Sequence, residues 1–413
     1  MPLPCGEPRE QAVDDRRQVK RGRIAIAAVF CVHGAVPGSF ATRIPWIQDH
    51  AGLSAGQLGL ALALPAIGGS LAGPMAAAIS HRLGARRALR GLLVLWTLAL
   101  ALPSLAPNLG VLCAALFLFG AAAGSSGVQI NAVGADTEKR LDRSIMSSLH
   151  GMWSAGALIG SAGGTLAAHL GVDTRLHHAL AALVLTVAGL VIVRSVLDVR
   201  PDPDAEAPPR YARPPRSAVL IGMVAFCAVF AEGASLDWSG VYLKDALGAS
   251  PGLAAATTTA FMLMMALARL LGDRVVNRFG AVRTVRTGGA MATAGGVLVV
   301  TAPGPAAAIA GFALIGLGVA VVVPLAYAAA AARGGPSSAQ SIAGVATITY
   351  ASGLIAPSLI GGIADLSSLA ASFGVVTVLA SGLLLGAGLL RKDAGGPVAS
   401  ARDAARVRVE SAS

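Results

Sequence analysis

The sequence predicts an all-α integral membrane protein, with twelve transmembrane helices arranged as two parallel, pseudo-symmetric six-helix bundles. Three observations carry that prediction: the composition, the alternation of basic gaps along the chain, and an internal repeat. Of the 413 residues only 13% are charged while 55% are hydrophobic, against about 25% charged in an average soluble domain. The 32 Lys and Arg residues fall almost entirely in every second gap between long apolar stretches. They stand in the N-terminal tail (Arg9 to Arg23), then at Arg82, Arg86, Arg87 and Arg90, then at Lys139, Arg140 and Arg143. The series continues with Arg194 to Arg216, with Arg274, Arg278, Arg283 and Arg286, with Arg333, and with Arg391 to Arg408. The gaps between hold only Arg175 and Lys244, while Arg43 and Arg269 lie inside apolar segments. Short loops rich in Lys and Arg stay cytoplasmic, so both termini are expected inside and the number of crossings even.

Taken in order, residues 1–23 form a charged tail rather than an apolar leader, so the first apolar stretch reads as a permanent helix and not a signal peptide. A bilayer-crossing helix needs about 20 apolar residues. The first bundle (24–194) supplies 24–47, 54–79, 88–106, 109–132, 145–169 and 175–194. Residues 195–216 contain six prolines between Pro201 and Pro215 and read as a cytoplasmic linker. The second bundle (217–390) supplies 217–240, 252–276, 285–302, 305–331, 340–364 and 368–390, with the turn Pro303-Gly304-Pro305 dividing its third and fourth segments. Residues 391–413 form the second cytoplasmic tail. Pro37, Pro65, Pro324 and Pro357 remove backbone donors within helices and are expected to kink them.

The halves repeat one another. Arg82, Gly84, Ala85, Arg87 and Arg90 recur as Arg278, Gly280, Ala281, Arg283 and Arg286; Trp153, Gly156, Ser161 and Gly164 recur as Tyr350, Gly353, Ser358 and Gly361; Gly34-Ala35 recurs as Gly233-Ala234. A six-helix unit returns the chain to its starting side, so the copies lie parallel about an axis along the membrane normal.

This arrangement resembles the major facilitator superfamily over residues 20–392. The loop after the second segment keeps the basic half of that family's motif in Arg82, Gly84, Arg86 and Arg87, but His81 takes the acidic position, and the second copy has Asn277 before Arg278. Asp136 and Asp273 are then the candidate acidic partners of a gate. Within the superfamily, Ala41-Thr-Arg-Ile-Pro-Trp46, Gln129-Ile-Asn-Ala132 with Ser147-Ser-Leu-His-Gly151, and Glu232-Gly-Ala-Ser-Leu-Asp-Trp238 resemble a bacterial branch of fucose-permease-like proteins and a rhizopine-locus membrane protein. The fourth segment has no arginine, unlike the common drug–proton antiporters, and no Pro-Glu-Ser-Pro-Arg follows the sixth, unlike the classical sugar porters.

Ionisable groups within a bilayer are costly, and each is a functional candidate. Glu232, about 22 Å into the seventh segment, is the leading candidate for proton coupling, against a structural hydrogen-bonding acid. His33 stands opposite it in the repeat and is a candidate for proton relay or substrate contact, against a packed histidine. Asn131 and Gln129 are candidates for substrate hydroxyls or for holding helices together, the second favoured. Trp153 and Tyr350 are repeat-related stacking surfaces or core. Arg43 and Asp237 form a candidate outer gate or two separate helix ends, and Arg269 with Asp273, spaced i, i+4, a candidate inner salt bridge. Gly156, Gly160 and Gly164 make a stripe for close helix approach.

There is no His-Glu-x-x-His, no Walker loop and no Gly-x-Ser-x-Gly context, so no enzyme, metal or cofactor is expected. Basic residues dispersed over seven segments fit headgroups rather than nucleic acid. The expected protein is a monomeric carrier of a small polar, sugar-like solute in a bacterial inner membrane, coupled to protons and working by alternating access. Its rivals are an exporter of the same fold and a non-transporting membrane sensor, the latter disfavoured by tails too short for an output domain.

Overall fold

The computed structural model describes residues 7–141, 145–197, 216–334 and 338–391. Most of the linker at 195–216 and of the tail at 391–413 therefore lies outside the described residues. All regular secondary structure in them is helical. The first half comprises α1 (Glu7–Ala41), α2 (Ile44–Ala51), α3 (Ala55–Leu83), α4 (Ala85–Ala99), α5 (Leu109–Leu141), α6 (Met146–His169) and α7 (Thr174–Val193). The second comprises α8 (Arg216–Leu247), α9 (Pro251–Phe279), α10 (Ala281–Val300), α11 (Pro305–Val319), α12 (Val322–Gly334), α13 (Ser338–Leu366) and α14 (Leu369–Gly386).

Each of the twelve expected apolar segments coincides with one helix or a consecutive pair. Among the described residues ten spans are long and apolar enough to cross a membrane by length and composition, and α6 and α10 are not among them. The reason is composition: α6 carries His150, Trp153 and several glycines, and α10 begins with Arg283 and Arg286. The helices alternate in direction, so the start of α1, the α3–α4 and α9–α10 turns and the end of α14 share one end of the molecule. We call it the basic end, and the opposite one the far end.

Two segments are broken where the sequence dictates it. The first stops at Ala41, passes through Thr42-Arg43, and restarts as α2 with Pro45 in its first turn, where a missing N–H costs nothing. The tenth splits at Ala320-Val321 into α11 and α12. Pro324 cannot donate to the carbonyl four residues back, which is that of Ala320, so the ladder opens there.

Within the first half α1 packs on α6, α3 on α5, and α4 on α5 and α7; within the second, α8 packs on α13 and α14, α9 on α11, and α10 on α11 and α14. The α1–α6 contact depends on glycine. A Cβ at Gly34 would strike the carbonyl of Trp153 and one at Gly38 that of Ala157; in return, Gly156 faces the carbonyl of Cys31 and Gly160 that of Ala35. Absent side chains let the backbones meet.

The halves touch along two related seams, α3 on α13 and α6 on α9. Both are bonded toward the far end. Ser54 donates to Asp365 at 2.8 Å, the hydroxyls of Thr165 and Thr259 stand 2.8 Å apart, and Lys244 of α8 pairs with Asp49 of α2. On α13, Tyr350, Gly353, Pro357 and Gly361 share one face at helical spacing. Gly361 and Pro357 meet Ala55 and Gly59 of α3, Gly353 meets only Ala66 more loosely, and Tyr350 is 73% exposed. The seam is closed at the far end and splayed toward the basic end.

Candidate functional site

Two polar clusters face each other across the centre of the molecule, and adjacent residues of α6 connect them. In the first, the Trp153 indole N–H donates to Nδ1 of His33 at 3.1 Å, and Nε2 of His33 lies 3.0 Å from the Ser126 hydroxyl. Ser126 spends its own proton on the Ala122 carbonyl at 2.6 Å. An indole N–H only donates, so Nδ1 of His33 accepts and Nε2 carries the proton toward Ser126. The Trp96 indole donates to the His33 carbonyl at 3.0 Å and stacks at 5.1 Å, leaving His33 only 7% exposed.

In the second cluster, Arg269 of α9 uses every part of its guanidinium. One terminal nitrogen contacts both carboxylate oxygens of Glu232 at 3.2 and 3.4 Å. The other reaches Ser154 of α6 at 3.4 Å, across the seam between the halves. Nε donates to the Ala320 carbonyl at 3.3 Å, the acceptor left unmatched by Pro324. A planar fork with fixed donor directions suits three acceptors on three helices. Glu232 sits at the middle of α8, about 23 Å from either end, because α8 runs on to Leu247, past the expected limit at 240. Both side chains of the pair are about a quarter exposed, 28% for Arg269 and 26% for Glu232, so the pair borders accessible space.

Several sequence expectations need correction. Arg269 does not bond Asp273: Glu232 and Ala320 offer acceptors in a partly buried setting, while Asp273 is exposed and makes no bond among the described residues. Arg43 does not bond Asp237. Lying in the α1–α2 break, its guanidinium turns to the start of α7, donating to Thr174 at 2.9 Å and to the Val172 carbonyl. Asp237 makes no hydrogen bond or ion pair among the described residues. His33 has both ring nitrogens engaged within the protein, which leaves it neither a free acceptor for a transferred proton nor a free donor for solute. Gln129, by contrast, follows the favoured reading of an amide that holds helices together: 2% exposed, it donates to Ser80 at 3.2 Å and to the Ala85 carbonyl at 3.1 Å, tying α5 to the α3–α4 turn.

The remaining candidates divide by position. Asn131 donates to Gly127 on its own helix at 2.8 Å and is half-buried with its carbonyl uncommitted. Trp153 is half-buried and Tyr350 exposed, so the repeat-related aromatics sit in unlike settings. At the basic end Arg86 donates to the Val196 carbonyl at 2.8 Å, fastening the α4 start to the end of the first half. Arg82 and Arg87 are exposed, Arg278 lies 5.7 Å over the Phe279 ring, and Asp136 forms no ion pair with any of them. Glu138 orders this end in a different way: its carboxylate accepts from the backbone N–H of Ile145 and Met146 at 2.6 and 2.9 Å, capping α6. Sequence reasoning also missed Ser126, Ser154 and Ala320. Ala320 was findable, since Pro324 stands four residues after it; the two serines carry no such signal. Among the described residues no cluster of three or more metal-ligating side chains occurs.

Comparison with known proteins agrees with this architecture. The model of the Major Facilitator Superfamily matches residues 26–245. An uncharacterized transporter of Sinorhizobium fredii is 32% identical over 360 residues, covering 86% of this chain and 94% of that one. An uncharacterized MFS-type transporter of Yersinia pestis is 32% identical over 359 residues, 86% and 92% of the two chains. Membrane protein MosC of Rhizobium meliloti is 29% identical over 344 residues, 83% of each. Among solved structures, the nucleoside transporter NupG superposes with a TM-score of 0.72 at 9% identity, covering 89% of this chain and 99% of that one. The transporter FucP in its outward conformation gives 0.58 at 17% identity, covering 90% and 100%. A bacterial homolog of Spinster, inward-facing and unoccupied, gives 0.68 at 15% identity, covering 92% and 99%. A family match over more than half the chain and relatives of 32% identity along most of it leave one assignment: the chain belongs to the major facilitator superfamily and is a multi-pass membrane transporter.

Proposed function

We propose that the protein is a proton-coupled secondary transporter of a small, polar, sugar-like solute, working by alternating access as a monomer in a bacterial inner membrane. The basic end is then cytoplasmic, with both termini inside, and the splayed seam at Tyr350 is an inward-open state. The observation that carries the reading is the Glu232–Arg269 pair at mid-height, whose guanidinium also holds Ser154 of the opposite half. A proton arriving on Glu232 removes the carboxylate charge and with it the ion pair, weakening Arg269's hold on α8 but not on α6 and Ala320. The balance between the two orientations then depends on the state of one carboxyl. Solute biases the same balance only by binding one orientation better, and Trp153, Asn131 and Tyr350 border the space it would occupy.

The test uses purified protein in liposomes holding a pH dye, exposed in turn to deoxysugars, inositols and aminosugars. The expected result is lumen acidification with one solute class, lost in Glu232→Gln, which retains solute exchange without accumulation. Full accumulation by Glu232→Gln removes this carboxyl from the coupling. Silence across the panel, with efflux of a less polar metabolite from cells, replaces import by export.

A further inference from the structure

On the outer surface of the second half, where α9, α10 and α11 meet near the basic end, lies a groove of about 590 Å³. Its walls are apolar, formed by Leu271, Val275 and Phe279 of α9 and by Met291 and Leu317 opposite. Arg283 and Arg286, in the first two turns of α10, line it at the basic end. Both are exposed, and neither makes a hydrogen bond or ion pair among the described residues.

The other half provides an internal control. Ala72, Met75, Ile79, Leu95 and Ala121 line a groove of about 440 Å³ between α3, α4 and α5. They are the repeat partners of Ala268, Leu271, Val275, Met291 and Leu317, all at the spacing that relates Arg82 to Arg278. The duplicated fold thus makes two such grooves, but only the second has cations in its lining. Arg87 and Arg90, the partners of Arg283 and Arg286, do not line the first. Leu92 fills the first groove where the second has Gly288, one turn beyond Thr284, so the apolar floor of the second continues to its arginines.

We propose that the α9–α10–α11 groove is a binding site for an anionic phospholipid, with its phosphate held by Arg283 and Arg286 and an acyl chain lying along Leu271, Val275 and Phe279. An apolar channel fits hydrocarbon, and two unpaired guanidinium groups at the headgroup level fit a phosphodiester bearing net negative charge. A wholly apolar occupant leaves the arginines unused, and a soluble anion leaves the channel unfilled.

The experiment is native mass spectrometry of the full chain, released from detergent with phosphatidylglycerol or phosphatidylcholine, alongside thermal unfolding in each lipid. Phosphatidylglycerol is expected to stay bound and raise the unfolding temperature, while phosphatidylcholine does neither. The double variant Arg283→Gln/Arg286→Gln is expected to weaken retention roughly five- to tenfold per arginine, and Arg87→Gln/Arg90→Gln to leave it unchanged. Val275→Glu, at an exposed position in the channel, is expected to reduce retention with both arginines intact. Equal retention of the two lipids, undiminished retention in the Arg283/Arg286 variant, an equal loss in the Arg87/Arg90 variant, or equal protection by inorganic phosphate alone overturns the proposal. Monodispersity on size exclusion confirms that each variant is folded before it is scored.

Discussion

The Nε of Arg269 donates at 3.3 Å to the carbonyl of Ala320, the acceptor that Pro324 leaves without its helical donor. A defect in one helix is thereby filled by the side chain that holds the mid-height carboxyl of another. The break between α11 and α12 and the Glu232 pair form one mechanical unit.

Pro324→Ala restores an N–H to the Ala320 carbonyl and closes the tenth segment into one helix. Removing an interior proline returns up to about 3 kcal/mol of helix stability. Unfolding temperature should rise, and turnover should fall several-fold with KM little changed, because stiffening affects reorientation more than solute contact. Initial uptake rates across solute concentration, with a melting curve, check this. Unchanged turnover at unchanged stability contradicts it.

The Arg269–Glu232 pair is open to solvent at about a quarter of each side chain, so its coupling is expected to be modest, about 1 kcal/mol. A double-mutant cycle of Arg269→Gln and Glu232→Gln on thermal unfolding measures it directly. Arg269→Lys should fail to restore transport, since one ammonium cannot reach Glu232, Ala320 and Ser154 together. Wild-type rates in Arg269→Lys would show that charge alone suffices.

His33→Ala strands the Trp153 and Ser126 partners, a loss of about 1–3 kcal/mol. Trp153→Phe removes only one donor and should cost about 1 kcal/mol. If the role of His33 is to orient Trp153, then in the Trp153→Phe background His33→Ala costs markedly less. Strict additivity in chemical or thermal unfolding argues against the coupling.

Gly156→Ala places a methyl group against the Cys31 carbonyl, whereas a Cβ at Gly163 meets nothing within 4 Å. The first should lower the unfolding temperature sharply. The second should be neutral or stabilising by about 0.5–1 kcal/mol through helix propensity. Fluorescence-detected thermal size exclusion separates the two, and equal effects would contradict the close α1–α6 approach.

The Thr165 and Thr259 hydroxyls are 2.8 Å apart, so these two side chains meet across the seam and make a pair for a cysteine cross-link. In a background without the native cysteines, Thr165→Cys/Thr259→Cys should cross-link on oxidation, stop transport, and regain it with reductant. Cross-linking that leaves transport intact would mean the α6–α9 seam does not open.

Much of this was legible in the sequence, for identifiable reasons. Apolar length located the helical segments and glycine spacing marked a face of α6 for close approach, because both are local; that α1 is what meets this face was not legible. Ion pairs were not legible. The i, i+4 rule offered Asp273 to Arg269, yet long side chains choose among acceptors on several helices, and Glu232 lies on another. Arg43 likewise turned to α7 rather than to Asp237, since its place in the α1–α2 break directs it there. His33 was marked by its depth and by its repeat position opposite Glu232, with a packed histidine as the alternative, and only its three-dimensional partners show both nitrogens engaged.

The far end of the molecule is held by a short set of bonds: Ser54 to Asp365, Thr165 to Thr259, and the exposed Asp49–Lys244 pair. At about 0.5–1.5 kcal/mol for each of the two hydrogen bonds and less for the exposed pair, this latch holds roughly 1–4 kcal/mol. Inverting a two-state population from 1:99 to 99:1 needs about 5.5 kcal/mol. The fastening is therefore weaker than a full switch, and a solute that prefers one orientation by a few hundredfold can undo it. A carrier that must release its door thousands of times is better served by a light catch than by a lock.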